Sequence, residues 1–276
     1  MRNIPFYKMS GCGNDFIIID NRKEVVDAQD LPIFVSKVCE RKMSVGADGL
    51  ILVEKSDKYD FCWRFFNSDG SIPEMCGNGA RCAARFAYVN SIAKSDMKFE
   101  TLAGIVSASI KDQRVKVEMP DTVVQLEAGY EIQLKTGKIV AWSLNTGVPH
   151  VVIQVDNVNN VDVFRLGREI RNHKEFAPDG TNVNFISRLQ DHTNMMRTYE
   201  RGVENETLAC GTGAIASALV IAYTGDLNSP VTIQTRSKNN LCIYFRKQDN
   251  RFSDIYLEGD ARIIYRAELT QEAWKY

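Results

Sequence analysis

Two short segments of the sequence are nearly identical, and each places a cysteine among small residues. Met75–Ala80 reads MCGNGA and Ala209–Ala214 reads ACGTGA. An alanine-rich stretch follows each segment, which predicts a helix that begins beside the cysteine. The unpaired N–H groups of a helix N-terminus favour negative charge, so they lower a thiol pKa from about 8.5 toward neutrality. Two such thiols, one on each face of a carbon atom, can remove a proton from one face and return a proton to the other.

Each Cys-Gly-x-Gly-Ala segment at the start of a helix, called a corner below, is also suited to holding a carboxylate. Anions bind at helix N-termini, and glycine lets the backbone approach a ligand closely. Two facing corners would hold the α-carboxylate of an amino acid with one sulfur on each side of Cα. This arrangement suits racemisation or epimerisation without a cofactor, with one cysteine as thiolate and the other as thiol. Because the α-proton is weakly acidic, preorganised donors at the carboxylate are needed, each contributing on the order of 3–4 kcal/mol.

The similarity between the two halves extends beyond the corners. Residues before and after the two cysteines keep the same offsets: Asn67 and Arg201 each lie nine residues before their cysteine, and Thr101 and Thr235 each lie 25 residues after it. We interpret this as an internal duplication. At 276 residues the chain is long for one core and long enough for two of about 130 residues.

Charge and hydropathy exclude several classes of partner. The net charge is −1, with 34 basic and 35 acidic residues spread along the chain, so neither a nucleic acid nor an anionic membrane surface is predicted. The N-terminus has no apolar stretch of signal-peptide length. The longest apolar stretch, 214–223, is too short to cross a bilayer. A cytoplasmic protein is therefore expected.

Cysteine and histidine usage argues against disulfides and metal. Seven cysteines in a chain without a secretion signal favour reduced thiols. No Cys-x-x-Cys pair is present and there are only three histidines, so no metal site is predicted. Cys12, in the glycine-rich turn Gly11–Asn14, is a candidate to face the site.

The elements that must position these residues alternate between strands and helices in each half. Strands are predicted at 16–20, 50–54 and 61–67, and helices at 31–41, 80–93 and 213–224. The predicted fold class is α/β (α+β), with two pseudo-symmetric domains. Each domain is expected to be a curled mixed β-sheet or barrel around a central helix. The domains are placed at 1–121 plus 263–276, carrying Cys76, and at 122–262, carrying Cys210. Arg81 and Arg85, on the first corner's helix, are expected on a solvated or interdomain face.

Six segments along the chain form a characteristic series: Lys8–Phe16 (KMSGCGNDF), Phe66–Gly70 (FNSDG), Glu74–Cys82 (EMCGNGARC), Gly180–Phe185 (GTNVNF), Tyr199–Gly202 (YERG) and Glu206–Gly213 (ETLACGTG). In these segments, their order and their spacing, the sequence resembles the diaminopimelate epimerase family from about residue 4 to the end. The resemblance implies epimerisation of LL-2,6-diaminopimelate to meso-diaminopimelate, a step in lysine and peptidoglycan precursor biosynthesis. It also implies an active site in the cleft between the two domains, no pyridoxal phosphate or other cofactor, no metal, and a homodimer.

The resemblance also implies roles for individual residues. Cys76 and Cys210 are the expected acid and base, and His150 and Glu200 are expected to support proton transfer. The reacting carboxylate is expected to bind Gly77, Asn78, Gly211 and Thr212, with Asn14 beside Asn78. The remote amino acid group of the substrate is expected to bind Asn67, Asn182, Glu200 and Arg201, because a guanidinium and amides can hold its carboxylate.

One segment departs from the family pattern. Family members often read Gly-Asn-Pro-His where this chain reads Gly147–His150 with Val148 in the second place. Valine cannot hydrogen-bond through its side chain, so weaker or rearranged recognition of the remote group is expected.

Two other functions remain open from the residues. The first is racemisation of another amino acid, such as glutamate or proline, on the same scaffold. Arg201 with Asn67 and Asn182 favours a substrate with a second charged end, so glutamate is the stronger of these two. The second is a thiol redox switch in which Cys76 and Cys210 cross-link. A non-catalytic binding module is disfavoured because it has no need for two matched low-pKa thiols.

Overall fold

Strands and helices alternate along the computed structural model, which describes residues 3–26, 30–119, 122–189, 193–225 and 227–276. The chain divides into two compact units, Met1–Pro120 with Gly259–Tyr276, and Asp121–Glu258. The predicted first domain ends its N-terminal part at residue 121, which lies outside the described residues. Within the described part of the chain, no helix is both long enough and apolar enough to span a bilayer.

Among its described residues, the first unit contains two α-helices, α1 at Leu31–Cys39 and α2 at Gly77–Val89. Its strands are β1 at Ile4–Gly11, β2 at Asn14–Asp20, β3 at Gly49–Glu54, β4 at Phe61–Asn67, β5 at Asp96–Thr101, β6 at Gly104–Lys111 and β7 at Arg114–Glu118. A last strand of this unit comes from the C-terminal tail, Arg262–Leu269, and it pairs antiparallel with β1.

The strands of the first unit form one mixed sheet that curls around α2. After β1 the pairing runs in chain order to β7, parallel for β2 with β3 and for β4 with β5, and antiparallel elsewhere. Helix α2 contacts β1, β2 and β3 near one end of this order and β6 and β7 at the other. Strands from both ends of the sheet can reach one helix only if the sheet curls, so the predicted central helix is confirmed here.

The second unit repeats this arrangement. Its helices are α3 at Val163–Arg171 and α4 at Gly211–Thr224. Its strands are β8 at Val124–Gln125, β9 at Tyr130–Leu134, β10 at Gly137–Asn145, β11 at Pro149–Gln154, β12 at Asn182–Arg188, β13 at Asn194–Glu200, β14 at Asn205–Thr207, β15 at Val231–Gln234, β16 at Asn240–Gln248 and β17 at Arg251–Asp260; the tail strand is then β18.

Strand pairing matches between the two units. In the first unit, β2 pairs parallel with β3, and β4 pairs parallel with β5. In the second unit, β11 pairs parallel with β12, and β13 pairs parallel with β15. Antiparallel strands follow the second parallel pair in both units, and in the second unit these are β16 and β17. Helix α4 contacts strands from both halves of its sheet: β10, β11 and β12 on one side, and β13, β15 and β16 on the other. The internal duplication inferred from residue offsets is therefore present in the topology.

The central strands are buried on both faces, which explains their nearly continuous apolar sequences. In β2, Ile17 and Ile19 belong to the core cluster under α1, whereas the alternate residue Ile18 is equally buried. In β12, Val183 and Phe185 pack in the same way with residues of α3. The corner helices thus lie inside the curled sheets and α1 and α3 lie outside them.

Candidate active site

Cys76 caps the N-terminus of α2. Its backbone is extended, with φ of −145° and ψ of 110°, and its Sγ accepts a hydrogen bond from the backbone N–H of Gly79 at 3.4 Å. The helix begins at Gly77, three residues earlier than predicted, because this contact satisfies an N–H group of the first turn. Gly77 and Asn78, the predicted carboxylate-binding residues, therefore form the first turn itself.

Asn14 and Asn78 meet beside Cys76. The Oδ1 of Asn14 accepts from the Cys76 thiol at 3.7 Å and from the Asn78 side-chain amide at 3.4 Å. The Nδ2 of Asn14 donates to Asp48 at 2.7 Å. Because Asp48 takes the NH₂ group, the carbonyl end of Asn14 is directed toward the thiol. The structure therefore brings these three predicted residues together, and Asp48 is a supporting residue that the sequence analysis missed.

Arg81 is fully buried, so its predicted place on a solvated or interdomain face is wrong. Its guanidinium donates to Asn78 Oδ1 at 2.8 Å and to the carbonyls of Gly77 at 3.2 Å and Asp260 at 3.3 Å. Most positions of α2 are buried, so a long side chain on this helix has no route to solvent and must find acceptors inside. Arg81 thereby orients the amide of Asn78 toward Asn14.

Cys12, the candidate in the glycine-rich turn, is buried and its thiol contacts Asp260. Its Sγ lies 3.0 Å from Asp260 Oδ1, and its backbone N–H donates to the same oxygen at 3.0 Å. Burial raises the pKa of the Cys12 thiol to about 12, although the charge of Arg81 opposes this. We therefore assign Cys12 a structural part in the turn between β1 and β2.

Cys210 caps α4 in the same manner as Cys76 caps α2. Its backbone is extended, with φ of −115° and ψ of 118°, and its Sγ accepts from the Gly213 N–H at 3.4 Å. The sulfur also lies 3.5 Å from the hydroxyl oxygen of Thr212. The hydroxyl of Thr146 donates to the Thr212 carbonyl at 3.1 Å and so fixes this first turn.

The pKa of Cys210 is raised well above its ordinary value, mainly because the thiol is buried and secondarily because the negative charge of Glu200 lies close to it. The Glu200 carboxylate accepts a hydrogen bond from the Cys210 thiol and another from the Thr207 hydroxyl, the latter at 2.6 Å. The expected lowering by the helix N-terminus is therefore wrong for Cys210, since burial outweighs it. This environment holds Cys210 as a thiol, the proton-donating form.

His150 is buried and neutral. Burial, assisted by the positive charge of Arg201, lowers the pKa of its imidazole to about 3. Its Nδ1 is hydrogen-bonded to the Asn184 side-chain amide at 3.1 Å. Asn184 lies in the GTNVNF segment, yet the sequence analysis gave it no role.

The residues predicted to bind the remote end of the substrate are divided between the units. Asn182 lies next to Arg201 in the second unit: its Oδ1 accepts from the Arg201 backbone N–H at 2.9 Å and its Nδ2 donates to the Pro149 carbonyl at 3.1 Å. Asn67 lies in the first unit and donates to the Ser71 hydroxyl at 2.9 Å. Asn182 therefore also positions the backbone of Arg201 and of the residue before His150.

The seven cysteines all lie in the described part of the chain, and none of them forms a disulfide. Among the described residues, no group of three or more His, Cys, Asp and Glu side chains has an arrangement that could hold a metal ion.

A family model described as diaminopimelate epimerase matches residues 6–125 and 142–264. The chain belongs to the diaminopimelate epimerase family. A diaminopimelate epimerase from Aquifex aeolicus is 43% identical over 99% of this chain and 100% of that protein. Another from Hydrogenobaculum sp. is 45% identical over 96% of this chain and 98% of that protein. The resemblance stated from the sequence is thus confirmed.

Solved structures of other proteins share the fold of this chain. A phenazine biosynthesis protein of the PhzF family from Bacillus anthracis superposes with a TM-score of 0.77 at 15% identity, covering 98% of this chain and 100% of that one. A probable proline racemase from Agrobacterium radiobacter gives 0.71 at 13% identity, covering 99% and 94%. These likenesses, together with the two similar units, confirm the predicted fold class.

The two corners differ in how much room surrounds their second glycine, and this difference is testable. A Cβ at Gly213 would lie 2.3 Å from Asn184 Oδ1, whereas a Cβ at the matched Gly79 would meet side-chain atoms no closer than 3.4 Å. We expect Gly213→Ala to reduce the free energy of unfolding by about 1–3 kcal/mol. Gly79→Ala should be neutral or slightly stabilising, since alanine favours helix. Urea unfolding of both variants measures the difference. Equal changes in the free energy of unfolding would contradict the tighter packing around Gly213.

Loss of the Arg81 guanidinium should destabilise the first unit. Arg81→Met leaves the Gly77 carbonyl and Asn78 Oδ1 without their buried donor, so we expect a loss of about 2–4 kcal/mol. Arg85→Met is the matched control one turn later, because Arg85 is only half-buried and donates to the single carbonyl of Ala261. Thermal and urea unfolding provide the measurement. A smaller effect for Arg81 than for Arg85 would show that its hydrogen bonds contribute little.

Proposed function

We propose that this chain is an isomerase that epimerises LL-2,6-diaminopimelate to meso-diaminopimelate, with Cys76 and Cys210 as its two bases. Family membership supports the substrate and the reaction. The observation that carries the mechanism is the repeated cysteine cap, in which a sulfur and the first-turn N–H groups of a buried helix lie together in each unit. The enzyme needs no cofactor, and it acts in the cytoplasm as a homodimer.

The reaction is a proton exchange at one α-carbon. The thiolate of one cysteine takes the α-proton, which breaks the Cα–H bond and leaves the electron pair on an enediolate-like carboxylate. The thiol of the other cysteine then donates its proton to the opposite face of Cα, which inverts the configuration. No electrons are transferred to or from the protein. After turnover the two sulfurs have exchanged protonation states, and exchange with solvent restores the starting form.

The surroundings of the two sulfurs suit these opposite roles. Burial and Glu200 favour the thiol form of Cys210, so Cys210 is the proton donor of the resting enzyme. Cys76 is then the base, and its partner Asn14 is held by Asp48. The N–H groups of Gly77, Asn78, Gly211 and Thr212 bind the carboxylate as negative charge develops on it, where each such donor is worth on the order of 3–4 kcal/mol.

Arg201, Asn182 and Asn67 bind the remote amino acid group of the substrate. The planar guanidinium of arginine can hold a carboxylate with two parallel hydrogen bonds. Asn182 fixes the backbone of Arg201, which restricts where that guanidinium can reach. Val148 offers no side-chain hydrogen bond at this end, so glutamate, which also has a second carboxylate, is a second candidate substrate.

Loss of either thiol should greatly slow epimerisation. We expect Cys76→Ala and Cys210→Ala to reduce the rate by about 100- to 10,000-fold, the contribution of a positioned acid or base. The measurement is proton NMR of LL-diaminopimelate in deuterium oxide with reduced enzyme, following loss of the α-proton signal and formation of the meso isomer. Cys62→Ala and Cys242→Ala are matched controls, because both residues are partly exposed cysteines that form no disulfide. Full activity in either corner variant would disprove the two-base mechanism. No exchange with wild-type enzyme would disprove the function and favour the redox switch.

Restoring an amide at position 148 should sharpen substrate choice. Val148→Asn adds a side-chain hydrogen bond worth about 1–1.5 kcal/mol, so we expect the ratio of kcat/KM for LL-diaminopimelate over L-glutamate to rise about tenfold. Val148→Ala controls for the loss of bulk. Strict selectivity for diaminopimelate in the wild-type enzyme would show that Val148 does not relax recognition.

A further inference from the structure

The orientation of the buried Asn184 amide is determined by its own hydrogen bonds. Its Nδ2 lies 3.1 Å from the carbonyl oxygen of Val151, and its Oδ1 lies 3.0 Å from the hydroxyl of Thr198. A carbonyl oxygen can only accept a hydrogen bond, so the NH₂ end of Asn184 must face Val151. The second hydrogen of that NH₂ group is directed at His150 Nδ1, 3.1 Å away.

This contact decides which nitrogen of His150 carries the proton. Nδ1 accepts from Asn184, so it must hold its lone pair toward the amide and cannot carry a hydrogen. A neutral imidazole has one N–H group, which must then be on Nε2. Burial keeps the ring neutral by lowering its pKa to about 3.

The Nε2–H group produced in this way is buried and has no hydrogen-bond partner among the described residues. A buried donor without an acceptor is costly, and such groups in native structures call for a ligand or another explanation. Asn184 also lies against the first turn of α4, where its Oδ1 would be 2.3 Å from a Cβ placed on Gly213. The amide that sets the tautomer is therefore packed against the helix turn that Cys210 caps.

We propose that Asn184 is a positioning residue that fixes His150 as the Nε2–H tautomer, so that this N–H donates to a carboxylate oxygen of the bound substrate. The part that concerns substrate rests on the proposed function. The N–H strengthens its bond as negative charge builds on that carboxylate, and the imidazole does not exchange its proton. Asn184 acts only through His150, and Thr198 holds the amide in the required orientation.

The tautomer can be measured without substrate. Long-range ¹H–¹⁵N correlation NMR distinguishes a protonated from an unprotonated ring nitrogen, and the chain has only three histidines, so a His150→Gln variant assigns the signal. We expect Nε2 protonated and Nδ1 unprotonated in the wild-type protein. Protonated Nδ1 would overturn the inference.

Asn184→Asp tests the role of the amide, because it replaces the NH₂ donor with an oxygen acceptor of nearly the same shape. We expect the ring proton to move to Nδ1 and kcat for diaminopimelate to fall on the order of 100-fold or more, since the wrong histidine tautomer costs about 10⁴ in a serine protease triad. Asn194→Asp is the matched control: it makes the same change at a buried asparagine on β13 whose Nδ2 donates to the Thr232 carbonyl. In this control variant the ring proton of His150 should stay on Nε2, and kcat should stay within a few fold of the wild-type value.

The outcomes separate this inference from the proposed function. If Asn184→Asp does not fold, Asn184→Ala replaces it, and we expect a mixture of tautomers and a similar fall in kcat. A wild-type tautomer or an unchanged kcat in a folded Asn184 variant would overturn the positioning role. Wild-type protein with Nε2 protonated but without epimerisation would overturn the proposed function and the substrate contact, while the tautomer assignment would stand.

Discussion

The rest of this structure depends on the burial of a helix N-terminus inside each curled sheet. Both α2 and α4 are enclosed by strands, so the N–H groups of their first turns cannot all be left to water. A cysteine sulfur satisfies one of these groups in each helix, at 3.4 Å from Gly79 and from Gly213. The remaining N–H groups and the helix dipole favour an anion at the same place. One constraint therefore places a sulfur beside N–H groups that favour an anion, in each unit.

The polar residues around the capped helix N-terminus differ between the two units. In the first unit the polar surroundings are asparagines and a buried cation, since Arg81 orients Asn78 and Asp48 orients Asn14. In the second unit they include a carboxylate, Glu200, and a neutral imidazole. The two sulfurs therefore share a topology but have different polar surroundings. Such a difference suits a reaction that needs one thiol and one thiolate.

Several features were predictable because they follow from local pattern. Small residues after each cysteine predicted the helix starts, and apolar strand segments buried on both faces predicted the sheets. The boundaries were less accurate: α2 begins at Gly77 and ends at Val89, whereas 80–93 was predicted. The cap that starts the helix is a sulfur, a weak acceptor that sequence rules for N-caps do not include. Arg81 was misplaced because an arginine on a helix is normally solvated, and its acceptors include a carbonyl 179 residues away.

The sequence by itself determined the family, the duplicated architecture and which residue types stand at the two corners, because these depend on the order and spacing of residues along the chain. Only the tertiary structure decided the protonation states. Cys210 is held as a thiol by burial and by Glu200, and His150 is neutral with its tautomer set by Asn184, 34 residues away. A pKa depends on desolvation and on the charges and donors that surround a group in space. Those neighbours come together only when the sheet closes around the helix.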